Sequence, residues 1–109
     1  MIQHEPLHKA EPISIDNLLI DVQRRLVLID NMPIDLTSRE FDLLHFFALH
    51  MGWALSKEQI YECVWHEASV GGYHAVENAI YRIRQKIEGS SLIIQTIIGY
   101  GYRIERKMK

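Results

Sequence analysis

A chain of 109 residues accommodates one ordinary domain and excludes two. Its apolar fraction of 48% is enough to build a core, and its charged fraction of 24% is that of a globular protein, not a disordered polyelectrolyte. The net charge of −2 argues against a nucleic-acid partner, but only while the chain is taken as a whole.

Residues 1–12 carry Pro6 and Pro12 without periodicity, the pattern of a linker or frayed end. Short apolar runs follow at Ile13 to Ile15, Leu18 to Val22, Leu26 to Ile29 and Pro33 to Leu36. Asp16-Asn17, Gln23-Arg24 and Asp30-Asn31 punctuate them, which predicts an antiparallel meander of four strands. Thr37-Ser38-Arg39-Glu40 is a capping box: the Thr37 hydroxyl accepts from a first-turn amide and Glu40 reaches back to the cap amide. It opens a helix from about Ser38 to Met51 that is apolar over most of its circumference, and so is expected to be buried, with Gly52 at its left-handed end. Ser56-Lys57-Glu58-Gln59 repeats the capping pattern and starts a second helix reaching about Trp65. A loop from His66 to Tyr73 containing Gly71-Gly72 leads to a third helix, about His74 to Ile87. The β-branched and aromatic stretch Leu92 to Glu105, with Gly99-Tyr100-Gly101 at its middle, predicts a hairpin. The domain is thus expected over 13–105, with 106–109 as a tail.

Charge is divided unevenly along this order. Residues 1–68 hold five Lys/Arg against eleven Asp/Glu, and residues 69–109 hold seven against three. The front is acidic and the back basic, so only the back suits an anion. Within it, Val76, Ile80, Ile83 and Ile87 fall on one stripe of the third helix at 100° per residue. The opposite stripe carries His74, Asn78, Tyr81, Arg82 and Gln85, flanked by Arg84 and Lys86 with Glu77 between. Arg matches guanine, Asn or Gln matches adenine, and a carboxylate accepts from cytosine, so this face has the chemistry to read base edges. A solvated helix face would look similar. The capped helix before it and the hairpin after it favour a winged helix-turn-helix, whose second helix enters the major groove.

The residues also carry a family resemblance. Leu36-Thr37-Ser38-Arg39-Glu40-Phe41-Asp42-Leu43-Leu44 and Leu55 to Ile60 with Val64-Trp65 resemble the effector domain of OmpR/PhoB-type response regulators. Val76 to Ile87 and Ile94 to Ile104 continue the match, so the resemblance spans about Ile13 to Glu105. It implies an α+β winged helix that binds promoter DNA and regulates transcription, as part of a two-component phosphorelay. By that likeness Arg82 and Glu77 face bases, Arg84 touches base or phosphate, and Trp65 and Thr96 contact the DNA backbone. Tyr102 and the two wing glycines are structural, and Arg103 supports the fold or the DNA backbone. The resemblance further implies binding to direct repeats as a tandem dimer, an RNA polymerase contact through loop 66–73, and a receiver domain in a longer chain or in trans. Two departures stand out. Ile98 occupies a wing position that is commonly cationic in the family, and Ala79 and Tyr81 replace commonly basic helix positions.

Other chemistries find little support. His4 and His8 are four apart but are separated by Pro6, and no Cys or carboxylate cluster completes a metal shell. No phosphate-cradling glycine loop or nucleophile signature occurs, so neither enzyme activity nor a cofactor is expected. The lone Cys63 lies in an apolar helical pattern and reads as a buried structural thiol. No apolar run reaches the roughly 18 residues of a membrane helix and no leader opens the chain, so a cytoplasmic protein is expected. The alternative function is a winged helix acting as a protein-interaction module through its acidic front.

Overall fold

A computed structural model describes residues 11–67 and 73–108. Of the expected linker 1–12 and loop 66–73, residues 1–10 and 68–72 lie outside that range. The first sheet is the expected meander, in order β1 (Ile13–Ile15), β2 (Leu18–Asp21), β3 (Leu26–Ile29) and β4 (Met32–Ile34), all antiparallel. Its turns set its register. Asp30 and Asn31 both adopt left-handed φ, 53° and 65°, the two-residue geometry whose twist matches the flanking strands, and Ile29 therefore faces Met32. Alternation then sends Ile15, Leu18, Ile20, Val27 and Ile29 into the core. Strands β2 and β4 end at Asp21 and Ile34, short of the expected Val22 and Leu36.

Helix α1 (Ser38–Leu49) begins on the expected capping box: the Glu40 amide donates to Thr37 Oγ1 at 3.1 Å and the Thr37 amide to Glu40 Oε1 at 3.0 Å. It stops two residues before the expected Met51, with His50 as its cap. Gly52 does take a left-handed φ of +81°, but in the turn after the helix, where its amide donates to the Ile104 carbonyl at 3.0 Å. Phe41, Leu43, Leu44, Phe47 and Ala48 are buried, whereas Leu49 is exposed, so the helix is open on one side rather than enclosed.

Helix α2 (Lys57–Ile60), capped by Ser56 and Gln59, widens into a π-helical turn over Tyr61–Trp65. Its buried residues are Ile60 and Val64. That stripe leaves Cys63 on the open side, and the expected burial of its thiol is corrected: Cys63 is exposed. Helix α3 (His74–Lys86) ends at its cap Ile87 and buries Val76, Ala79, Ile80 and Ile83. Because Ala79 is wholly buried, that departure from the family removes no cation from the outer face.

The hairpin pairs β6 (Leu92–Ile97) with β7 (Gly101–Arg106), and β7 also pairs with β5 (Leu55–Ser56), giving a three-stranded sheet of order β5-β7-β6. The two-residue β5 is too short to leave a periodic signal in the sequence. It explains Gly101: a Cβ there would overlap the Leu55 carbonyl and fall 2.8 Å from Ser56 Cα. Strand β7 runs one residue past the expected boundary at 105, and the Lys107 amide donates to the Ser91 carbonyl at 2.7 Å. The two sheets are stapled by Asn17, which donates to the Gly89 carbonyl and accepts from the Ser91 amide, both at 2.9 Å. The core between them joins Leu18 and Val27 to Phe47 of α1, Ile80 and Ile83 of α3, and Ile94 and Ile104 of the hairpin.

Candidate nucleic-acid interface

Helix α3 presents one face to solvent because the other is filled with Val76, Ala79, Ile80 and Ile83, each at most 1% exposed. On the open face stand His74, Asn78, Tyr81, Arg82 and Gln85, all exposed. The structure therefore brings together five of the sequence-predicted residues on one helical surface. Tyr81 is 64% exposed, far more than a tyrosine that serves the core.

The charged residues of α3 behave less simply than the sequence suggested. Arg82 Nε donates to Glu40 Oε2 at 2.9 Å, and Lys86 Nζ donates to Glu40 Oε1 at 2.6 Å. The Glu40 carboxylate is fully buried, so its negative charge persists only because these cations and the Thr37 amide surround it. Arg82 is anchored through Nε alone, and its two Nη groups have no partner among the described residues. Its side chain remains 52% exposed. Lys86, expected on the flank of this face, is committed to Glu40. Arg84, the other flank, folds onto the wing: its guanidinium donates to the Ile94 carbonyl at 2.7 Å and to Thr96 Oγ1 at 2.8 Å, and lies 5.7 Å from the Tyr102 ring centroid. Arg84 and Thr96 thus form one unit that fixes α3 against β6.

Glu77, expected to face bases, accepts from Lys57 Nζ at 2.7 Å and sits 3.3 Å from His74 Nδ1. The Lys57 bond draws the Glu77 carboxyl below its ordinary range, while Glu77 pushes the Lys57 ammonium up. Trp65 stacks on Tyr61 with centroids 5.5 Å apart and carries the Arg39 guanidinium 4.8 Å from its ring. Tyr61 in turn meets Tyr73, the residue that caps α3, at 6.3 Å. Arg103 is not brought to this surface. Strand alternation puts it on the opposite face of the hairpin from the buried Tyr102 and Ile104, where it pairs with Gln95 at 3.2 Å and Glu105 at 3.2 Å. These contacts are those of a residue that supports the fold, one of the two roles expected of it.

Sequence reasoning missed Lys57 and the second role of Glu40. Each acts on a partner in another helix, 20 and 42 or more residues away, and no local spacing signals such a pair. Beyond α3 the wing turn holds Ile98 at 95% exposure, the position where the family commonly carries a cation. No group of three or more His, Cys, Asp or Glu able to hold a metal occurs among the described residues, and none of their helices is long and apolar enough to cross a membrane.

Burial tends to raise the Glu40 carboxyl pKa, but donors from Lys86, Thr37 and Arg82 together outweigh it and hold the group below its ordinary value. A carboxyl depressed by folding contributes stability above its unfolded pKa, near 4.3, and loses it as pH falls through the folded value. Melting temperature is therefore expected to drop on acidification below about pH 4. Glu40→Gln, already less stable at neutral pH, should show a flatter acid limb in the same scan. Parallel acid limbs would show that Glu40 is not the group responsible.

Residues 31–104 match the family model described as transcriptional regulatory protein, C terminal. The transcriptional regulatory protein SrrA of Staphylococcus aureus is 34% identical, over 96% of this chain and 45% of its own. This chain therefore spans less than half the length of the curated relatives it matches. Among solved structures, the DNA-binding domain of Bacillus subtilis CssR is 36% identical with a TM-score of 0.72, covering 80% of this chain and 98% of its own. The DNA-binding domain of Klebsiella pneumoniae RstA, in complex with RstA box, is 25% identical with a TM-score of 0.80, covering 88% and 98%. Meander, three helices and hairpin together with these matches show that the chain belongs to the OmpR/PhoB-type family of response-regulator C-terminal domains, winged helices that bind DNA and regulate transcription.

Proposed function

We propose that this domain recognises a specific duplex sequence by laying α3 in the major groove, with His74, Asn78, Tyr81, Arg82 and Gln85 as its reading set. The observation that carries the reading is the division of α3 into a fully buried apolar face and an exposed face rich in base-edge donors and acceptors. Glu77 acts as a hydrogen-bond acceptor held by Lys57, and Arg84 with Thr96 meets the DNA backbone beside the helix. Trp65, braced by Tyr61 and Arg39, is a further backbone contact. Binding to direct repeats as a tandem pair, a polymerase contact through loop 66–73, and control by a receiver domain in a longer cytoplasmic protein complete the proposal. The length of SrrA relative to this chain supports the last of these.

The rival reading, a protein-interaction module with an acidic contact face, is weakened. Asp16 and Asp30 occupy left-handed turn positions, and Asp21 accepts from the Arg24 amide at 3.1 Å, so turn chemistry accounts for three of the eleven carboxylates of the acidic front, and Glu40 is buried as a counter-ion. The test is binding to mixed genomic duplex fragments as a function of salt. Because Lys86 is held by Glu40, Arg84 is the flanking cation of α3 left to meet phosphate. Binding is expected at low salt with a shallow slope, about 0.9 in log–log terms for each phosphate contacted. No binding at any salt would end the proposal.

A further inference from the structure

Ile98 has no structural reason to be isoleucine. At 95% exposure it is among the most exposed large apolar side chains described, matched only by Met108 near the chain end. The turn that carries it needs only the left-handed Gly99, φ +76°, and the Tyr100 amide donating to the Ile97 carbonyl at 2.9 Å. Tyr100, two residues on, is itself 48% exposed. The tip is therefore an apolar point without a charged side chain, on a domain whose outer surface is otherwise polar nearby.

The tip is also held rigidly. The Tyr100 carbonyl accepts from the Lys57 amide at 3.2 Å, which ties the turn to the start of α2. Gly101 lies so close to β5 that no side chain fits between them. Arg84, bonded to Ile94 and Thr96, locks the same hairpin to α3. With α3 in a major groove, the hairpin tip extends about two residues, roughly 7 Å, beyond Thr96 along the strand direction. An apolar side chain presented on a fixed hairpin beside the major-groove element has the form of a minor-groove wedge, which separates stacked bases and bends the duplex. A protein partner is a poorer occupant, since two side chains fall far short of the roughly 800 Å² per partner that a stable interface buries.

We propose that Ile98 enters the minor groove as an apolar wedge that partly opens one base step, so that this domain selects its sites in part by how readily that step deforms. The inference rests on the reading of α3 as the major-groove element. Pyrimidine–purine steps unstack most easily, so TA or CA is the expected step beneath the wing, chosen without any hydrogen bond to its bases.

The test uses a single-site duplex selected from a random pool, with the bend measured by end-to-end energy transfer. Wild type is expected to bend it by at least about 20°. Ile98→Ala should remove most of the bend, weaken binding roughly five- to tenfold on a site with a flexible step, and bind a stiff-step site almost as wild type does. Its melting temperature and salt slope should not move, because Ile98 packs on nothing and carries no charge. Ile98→Arg should bind DNA in general more tightly, steepen the salt slope by about 0.9, and lose the step preference. An unchanged bend and step preference in Ile98→Ala would overturn the wedge. So would an effect seen only on two-site DNA, which would place the tip against a second copy. Arg82→Ala, measured alongside, separates the two failures: if it still loses specific binding, the α3 reading survives without the wedge.

Discussion

Ile83→Asp is expected to abolish cooperative melting of the domain. Ile83 is wholly buried at the centre of the α3 core face, beside Val76, Ile80 and Ile87. Removing its side chain forfeits core packing worth about 2–5 kcal/mol. The aspartate that replaces it adds an unpaired buried charge, at a further cost of several kcal/mol unless it protonates. Among the described residues the cations of α3 are already engaged, Arg82 and Lys86 by Glu40 and Arg84 by the wing. Domains of this size have only about 5–15 kcal/mol in total, so the sum is comparable with the whole stability. The check is circular dichroism with thermal melting. A folded, cooperatively melting variant would mean that α3 is rotated on its axis and that the exposed face has been assigned wrongly.

Arg82→Ala is expected to remove specific binding while leaving a folded domain. Anchoring through Nε holds the guanidinium in one orientation and leaves both Nη groups available for a bidentate contact to guanine. Losing such a pair costs about 1–3 kcal/mol of discrimination, a factor of roughly 5 to 150 in affinity for the selected site over random DNA. The substitution also withdraws one of the donors to Glu40. Lys86 and the Thr37 amide remain, and Arg82 is half exposed, so the stability loss is expected to be on the order of 1 kcal/mol. Competition binding against non-specific duplex, with a thermal melt of the same sample, separates the two effects. Equal affinity of variant and wild type for the selected site would remove Arg82 from the reading set.

What the sequence disclosed and what it hid divide along a physical line. Features whose causes lie within a few residues were legible: the Thr37–Glu40 and Ser56–Gln59 caps, the Asp30-Asn31 turn, and the periodicity that separates Val76, Ile80 and Ile83 from Asn78, Arg82 and Gln85. Ile98, a turn residue flanked by Gly99, has no sheet face to pack on and is exposed. Features that depend on distant partners were not legible. Glu40 satisfied its capping role so well that nothing pointed to its second function as counter-ion for Arg82 and Lys86. Arg103 is expected to support either the fold or the DNA backbone, and its cross-strand partner Gln95 is not visible from local spacing. Cys63 followed apolar neighbours in sequence, but the buried stripe runs through Ile60 and Val64 and passes it by. Strand β5, two residues long, exists because β7 lies beside it.

On the proposed reading, α3 lies in the major groove with its polar face on the bases. Methylation protection on a selected duplex tests it most directly, because guanine N7 is exposed only in the major groove and adenine N3 only in the minor groove. The expected result is a short block of guanine N7 protection at each half-site, lost at one position in Arg82→Ala and kept in Ile98→Ala. Protection confined to adenine N3, or a guanine pattern identical in wild type and Arg82→Ala, would contradict it.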